Sequence, residues 1–157
     1  MPTEPQLLAR IVNFLNSIQI SIVEKSLPND TFLPGLRIEG GTILMDLKQL
    51  KYPGNLLHEA GHIATNEETR RLLIGTPQIT ADWQTDGDEI AAILWSYAAG
   101  THLQLNLDIV FYPGGYKDGS EWLIEQFSSK NYIGLPLLEW MSLCTKEEFP
   151  KMNKWLR

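Results

Sequence analysis

Only one cysteine and three histidines occur among the 157 residues. Cys144 therefore has no internal disulfide partner. It lies in Leu143-Cys144-Thr145, without a basic neighbour, which predicts a buried inert thiol rather than a nucleophile. Positive charge is also scarce: 13 Lys and Arg face 19 Asp and Glu, for a net charge of −6. No basic stripe or basic-aromatic cluster stands out, so nucleic-acid binding is not expected. No apolar run approaches the roughly 20 residues that span a bilayer, so no membrane partner is expected either. Met1-Pro2-Thr3-Glu4-Pro5 lacks the basic and apolar regions of a signal peptide, which points to the cytoplasm. What remains is 43% hydrophobic and 20% charged, the make-up of an ordinary globular chain with a real core. One domain over residues 1–157 is expected, its oligomeric state left open.

Periodicity predicts a mostly helical α+β fold. Leu7, Leu8, Ile11, Val12, Leu15, Ile18 and Val23 recur at mostly three- and four-residue spacing, predicting an amphipathic helix over 6–25. Residues 26–35 are rich in Pro, Asn, Asp and Gly and read as a loop. Residues 36–47 form a hairpin about Gly40-Gly41. Tyr52-Pro53-Gly54-Asn55 breaks the chain, with Asn55 as a candidate helix cap. A short helix is expected within 67–74. Residues 88–100 are apolar nearly all round and predict a buried helix. After the glycine-rich loop 112–119, Ser120 is a candidate cap for a helix through Phe127. Residues 135–144 form another, and Thr145-Lys146-Glu147-Glu148 has the form of a capping box, with Pro150 inside that last element.

Against this background, His58-Glu59-Ala60-Gly61-His62 stands out, since it uses two of the three histidines. On a helix, positions i and i+4 share a face, so both imidazoles can reach one metal ion. Glu59 can then take a proton from a metal-bound water. The bland alternative is an amphipathic helix with incidental histidines. Gly61 weighs against it, because glycine costs about 1 kcal/mol of helix propensity relative to Ala. Its presence predicts a second backbone close by.

A catalytic zinc commonly takes a third protein ligand. The metzincin pattern requires Gly and His where this chain has Thr65 and Glu68, which excludes that class. Glu89 is the expected third ligand: an acid opening an apolar helix needs a partner. Its alternative is a first-turn acid favoured by the helix dipole. Asp86 and Asp88 are candidates either for the helix cap or for accepting a ligand imidazole's second N–H, with Asp82 a weaker one. His102 is a poor ligand, since thirteen residues at about 100° each place it some 140° from Glu89.

His58-Glu59-x-x-His62 followed by Glu89 on a later helix resembles the gluzincin branch of the zincin metallopeptidases. The compact order of strand Thr42–Asp46, motif helix, then Glu89-x-x-Ala92 with Trp95 is similar to the ImmA/IrrE-type metallopeptidases over residues 36–100. Ile93 departs from that pattern, where a polar residue is common. The resemblance implies a zincin-like core: a small sheet beside the motif helix and a following buried helix. It also implies Zn2+ on His58, His62 and Glu89, Glu59 as general base, and a peptide or protein substrate.

An oxyanion formed in such a reaction needs a further donor. Tyr116 in the glycine-rich loop is one candidate, and Tyr97, Tyr112 and His102 are others. Thr42–Asp46 is the strand expected to offer its edge to an extended substrate. Two other functions stay open: a metal-binding interaction or regulatory domain with little or no turnover, and a hydrolase acting on a non-peptide amide.

Overall fold

The computed structural model describes residues 4–79 and 84–157. Among them the chain is α+β, with seven helices and one three-stranded sheet. Helix α1 (Glu4–Ser17) buries Leu7, Ile11, Phe14 and Leu15, the stripe its spacing predicts. It stops well short of residue 25. Gln19 takes a left-handed φ of 71°, and strand β1 (Ile22–Glu24) follows. Ile18, Ile20 and Ile22 alternate with Gln19 and Ser21, a period-two pattern of β-branched residues that helical spacing masked.

Strands β2 (Leu36–Glu39) and β3 (Thr42–Met45) form the predicted hairpin, pairing Leu36 with Met45 and Glu39 with Thr42. Gly40 and Gly41 have φ of +61° and +77°, the two positive values that this tight hairpin turn demands. β1 joins β3 in parallel, so the strand order is β1-β3-β2. β3 is thus the central strand. The expectation that Thr42–Asp46 offers a free edge is incorrect, because both of its edges are paired; β2 is an outer strand.

Helix α2 (Asn55–Ala64) carries the histidine motif, and α3 (Glu68–Arg71) is a single turn after it. The helix cap is Gly54, not Asn55, which lies inside the helix and is buried. Sterics explain this: a Cβ on Gly54 would lie 2.0 Å from the Ile109 carbonyl oxygen, so no side chain fits there. α2 ends at Ala64, where the Asn66 amide donates to the His62 carbonyl and Thr65 Oγ1 donates to that of Gly61.

Helix α4 (Asp86–His102) is the buried helix, with Trp95 fully enclosed. Thr85 caps it through a capping box with Asp88. Helix α5 (Leu107–Val110) is a short turn that periodicity does not reveal. Helix α6 (Ser120–Ser128) is capped by Gly119. Ser120 is its first residue, and its hydroxyl donates instead to the carbonyls of Tyr112 and Gly115 in the preceding loop. Helix α7 spans Leu135–Trp140, ending before residue 144. Thr145 starts one turn only, with Glu148 N–H donating to its Oγ1; Pro150, which has no N–H to donate, stops any extension. Cys144 is buried, and desolvation pushes its thiol up to about 11, as expected of an inert side chain. No described helix is long and apolar enough to cross a membrane.

One hydrophobic cluster runs from Leu7 through α2 and α4 to Phe149. α2 packs on β2 and β3 and, most extensively, on α4. The two helices approach closely at Gly61. A Cβ there would lie 2.7 Å from the Ala92 carbonyl oxygen and 3.1 Å from its Cα. The second backbone inferred from the glycine is therefore that of α4. Gly61→Ala tests this contact. On helix propensity alone it would stabilise by about 1 kcal/mol. Overpacking against a backbone reverses the sign, and a loss of roughly 1–3 kcal/mol is expected in urea denaturation.

Candidate metal centre

The Gly61–Ala92 contact sets the height at which α2 and α4 meet. His58 lies three residues before Gly61, and Glu89 three residues before Ala92, so each is about one turn N-terminal to the contact. The two side chains meet there: His58 Nε2 is 3.2 Å from Glu89 Oε1. His62 Nε2 is 3.0 Å from Glu89 Oε2 and 3.2 Å from His58 Nε2. Three atoms of metal-ligating type converge, and these residues can hold a metal ion. His58 and His62 are buried, whereas the Glu89 side chain keeps 40% of its exposure.

The Nε2 atoms of the two imidazoles face one another and, separately, the two oxygens of the Glu89 carboxylate. A cation between the three groups satisfies all of them at once. Burial opposes ionisation of Glu89, but hydrogen bonds from His58 and His62 and their charge outweigh it. The carboxyl is held well below the usual range, as an anionic ligand requires.

Glu59 lines the same cavity, partly buried, beside His58 and His62. Desolvation pushes its carboxyl up to about 7; the charge of His62 opposes this and that of Glu89 adds to it. Ionisation near neutrality is where a general base works best.

Tyr116 is brought to the centre by an unusual loop. Tyr116, Lys117 and Asp118 are consecutive left-handed residues, with φ of 55°, 54° and 63°. Each non-glycine residue there costs roughly 1–2 kcal/mol, so the surroundings must impose the turn. Ser120 ties the loop from below through its two hydrogen bonds, and Tyr112 stacks on Tyr52 with centroids 3.7 Å apart. The Tyr116 ring then meets His58 edge to face at 5.4 Å. Its hydroxyl is buried, with no partner at hydrogen-bond distance among the described residues. Desolvation raises its pKa, as do Tyr112, Glu89 and Glu59, so the phenol keeps its proton.

The other residues named from sequence lie elsewhere. Tyr97 packs among Phe127, Tyr132 and Phe149. His102 sits between Phe14 and Trp155 at the far end of α4. Asp88 is occupied in the capping box, with Oδ2 accepting from Thr85 N and Oγ1, so neither it nor Asp86 is the helix cap. No hydrogen bond joins Asp88 to a ligand imidazole among the described residues. Asp82 lies outside the described residues.

Sequence reasoning missed the cavity itself. It encloses about 360 Å³ and is walled by Phe32, Leu33, Leu36, Ile38 and Ile74 as well as the polar groups. These residues come from a loop, an outer strand and a turn, with no common motif to mark them.

Titration with Co2+ or Zn2+ tests the ligand set. One ion per chain is expected for the unaltered protein. Glu89→Ala should weaken binding by at least about 100-fold, since even outer-shell partners of a metal contribute 10–100-fold. Equal affinity in the variant would remove Glu89 from the centre. No family model, curated protein or solved structure matches the chain, so the reading of this centre rests on its geometry.

Proposed function

We propose that the chain is a zinc-dependent metallopeptidase of the gluzincin type, resembling the ImmA/IrrE-type enzymes. The observation that carries this is the cluster of His58 Nε2, His62 Nε2 and the two Glu89 carboxylate oxygens, with Glu59 in the same cavity. The histidine nitrogens lie 3.2 Å apart, and each lies 3.0–3.2 Å from a different Glu89 oxygen. Tetrahedral zinc with ligand bonds of 2.0–2.1 Å separates its donors by about 3.3 Å. Two neutral imidazoles and one carboxylate also suit zinc as a donor set, and a three-residue set leaves a position open for water.

Bound zinc would supply a water of lowered pKa and polarise the scissile carbonyl. The protein's own residues do the rest. Glu59 takes the proton as the nucleophile attacks and returns it to the leaving amine. The apolar cavity walls exclude bulk water and strengthen the electrostatic interactions within. Tyr116, which retains its phenolic proton, is the candidate donor to the developing oxyanion. An extended substrate would enter the cavity past Leu36, Arg37 and Ile38 of β2, which line it.

A metal-binding domain without turnover is the competing reading. A purely structural site is typically closed by four protein ligands and needs no base beside it. Here three ligand groups converge among the described residues, and Glu59 lines the cavity beside them.

Glu59→Gln separates these readings. One zinc per chain should remain, while hydrolysis of a fluorogenic peptide library falls to background. A zinc-loaded native protein that cleaves nothing in the library would favour the inert domain. Tyr116→Phe should lower kcat by about 100-fold with zinc retained, the scale of losing one oxyanion donor. An unchanged kcat would assign that role elsewhere.

A further inference from the structure

The cavity beside the centre has a lining of two chemical kinds. Its polar lining is His58, His62, Glu59 and Glu89 together with Thr31, Arg37 and Gln84. Its apolar lining is Phe32, Leu33, Leu36, Ile38 and Ile74. Leu36 and Ile74 are at most 2% exposed, so this part is the surface of the core itself. Arg37 is the only cation among the described lining residues, and Glu39 already pairs with it at 3.2 Å. A charged side chain entering here would lose water against the apolar part of this lining.

Phe32 stands on the rim with 95% of its surface exposed, the most exposed of the large apolar residues described. A singly exposed aromatic needs no explanation by itself. This one belongs to the apolar lining of the cavity that holds the metal ligands. Its backbone is also held. Thr31 Oγ1 donates to the Leu33 carbonyl, and Leu36 N–H donates to the same oxygen. Farther back, the Asp46 carboxylate accepts from Leu27 N–H and anchors the loop. The ring is thus presented on a fastened backbone without being packed. It gains burial only when something apolar occupies the cavity.

The volume of about 360 Å³ lies at the small end for ligand sites, roughly 300–1,000 Å³. It suits one large side chain with its flanking backbone. We infer that this cavity selects an extended peptide bearing a bulky apolar side chain next to the scissile bond, and that Phe32 closes over that side chain as a specificity-determining residue. The inference rests on the metallopeptidase reading and names its substrate class.

N-acyl hydroxamates of leucine, glycine and glutamate test it on the zinc-loaded protein by calorimetry. The hydroxamate group binds the metal in all three, so only the side chain differs. Leucine should bind at least about tenfold tighter than glycine, the effect of burying one such side chain, and glutamate weaker than glycine. Phe32→Ala should lower the leucine-to-glycine ratio about 3–10-fold with zinc content retained. The variant leaves the core intact, because Phe32 packs against almost nothing. Equal binding of leucine and glycine, preference for glutamate, or a ratio unchanged by Phe32→Ala would overturn the inference while leaving the metal centre standing. Failure of the chain to take up zinc, with no hydroxamate bound, would instead defeat the metallopeptidase reading, and the specificity would fall with it.

Discussion

The backbone contact between Gly61 and Ala92 is the constraint on which the rest depends. It lets α2 and α4 approach more closely than any side chain would permit. The ligand groups project from positions one turn away, so their separation follows from how close the helices come. A shift of a few tenths of an ångström at the contact moves His58 and His62 relative to Glu89. Protein interiors are packed densely enough that such a shift cannot be absorbed elsewhere without cost. Packing and chemistry are therefore the same feature viewed at two heights along the helix pair.

Electrostatics reinforces this arrangement. Glu59 and Glu89 border one small cavity, yet their carboxyls are driven in opposite directions. Hydrogen bonds and charge from the histidines keep Glu89 ionised, whereas desolvation raises Glu59 toward neutrality. Two acids with separated ionisation suit different tasks, one holding a cation and the other exchanging a proton. The left-handed turn at 116–118 adds a third component, setting the Tyr116 ring against His58. Three unfavourable backbone conformations in a row persist because Ser120 and the Tyr52–Tyr112 stack hold both sides of the loop.

Much of this was legible in the chain. His58-Glu59-x-x-His62 marked the candidate ligand helix, and Gly61 announced a close neighbour. An acid opening an otherwise apolar helix marked Glu89. Gly40-Gly41 specified the hairpin. The errors share a cause, since each concerned a position decided by a segment distant in sequence. Residues 18–22 suit helix or strand until β3 is available as a partner. Asn55 is a good cap in isolation, but Ile109 leaves room only for glycine at the position that caps the helix. Thr42–Asp46 looked like an edge because β1 had been read as helix.

The sequence by itself determined which groups can bind metal and that a mostly helical α+β chain carries them. These follow from side-chain chemistry and local periodicity, both fixed within a few residues. Tertiary structure alone decided which strand lies at the edge, how near Glu89 comes to the two imidazoles, and where the cavity opens. Those depend on contacts between α2, α4, the sheet and the loop bearing Phe32. Their partners lie tens of residues apart in the chain, and only the packed core brings them together.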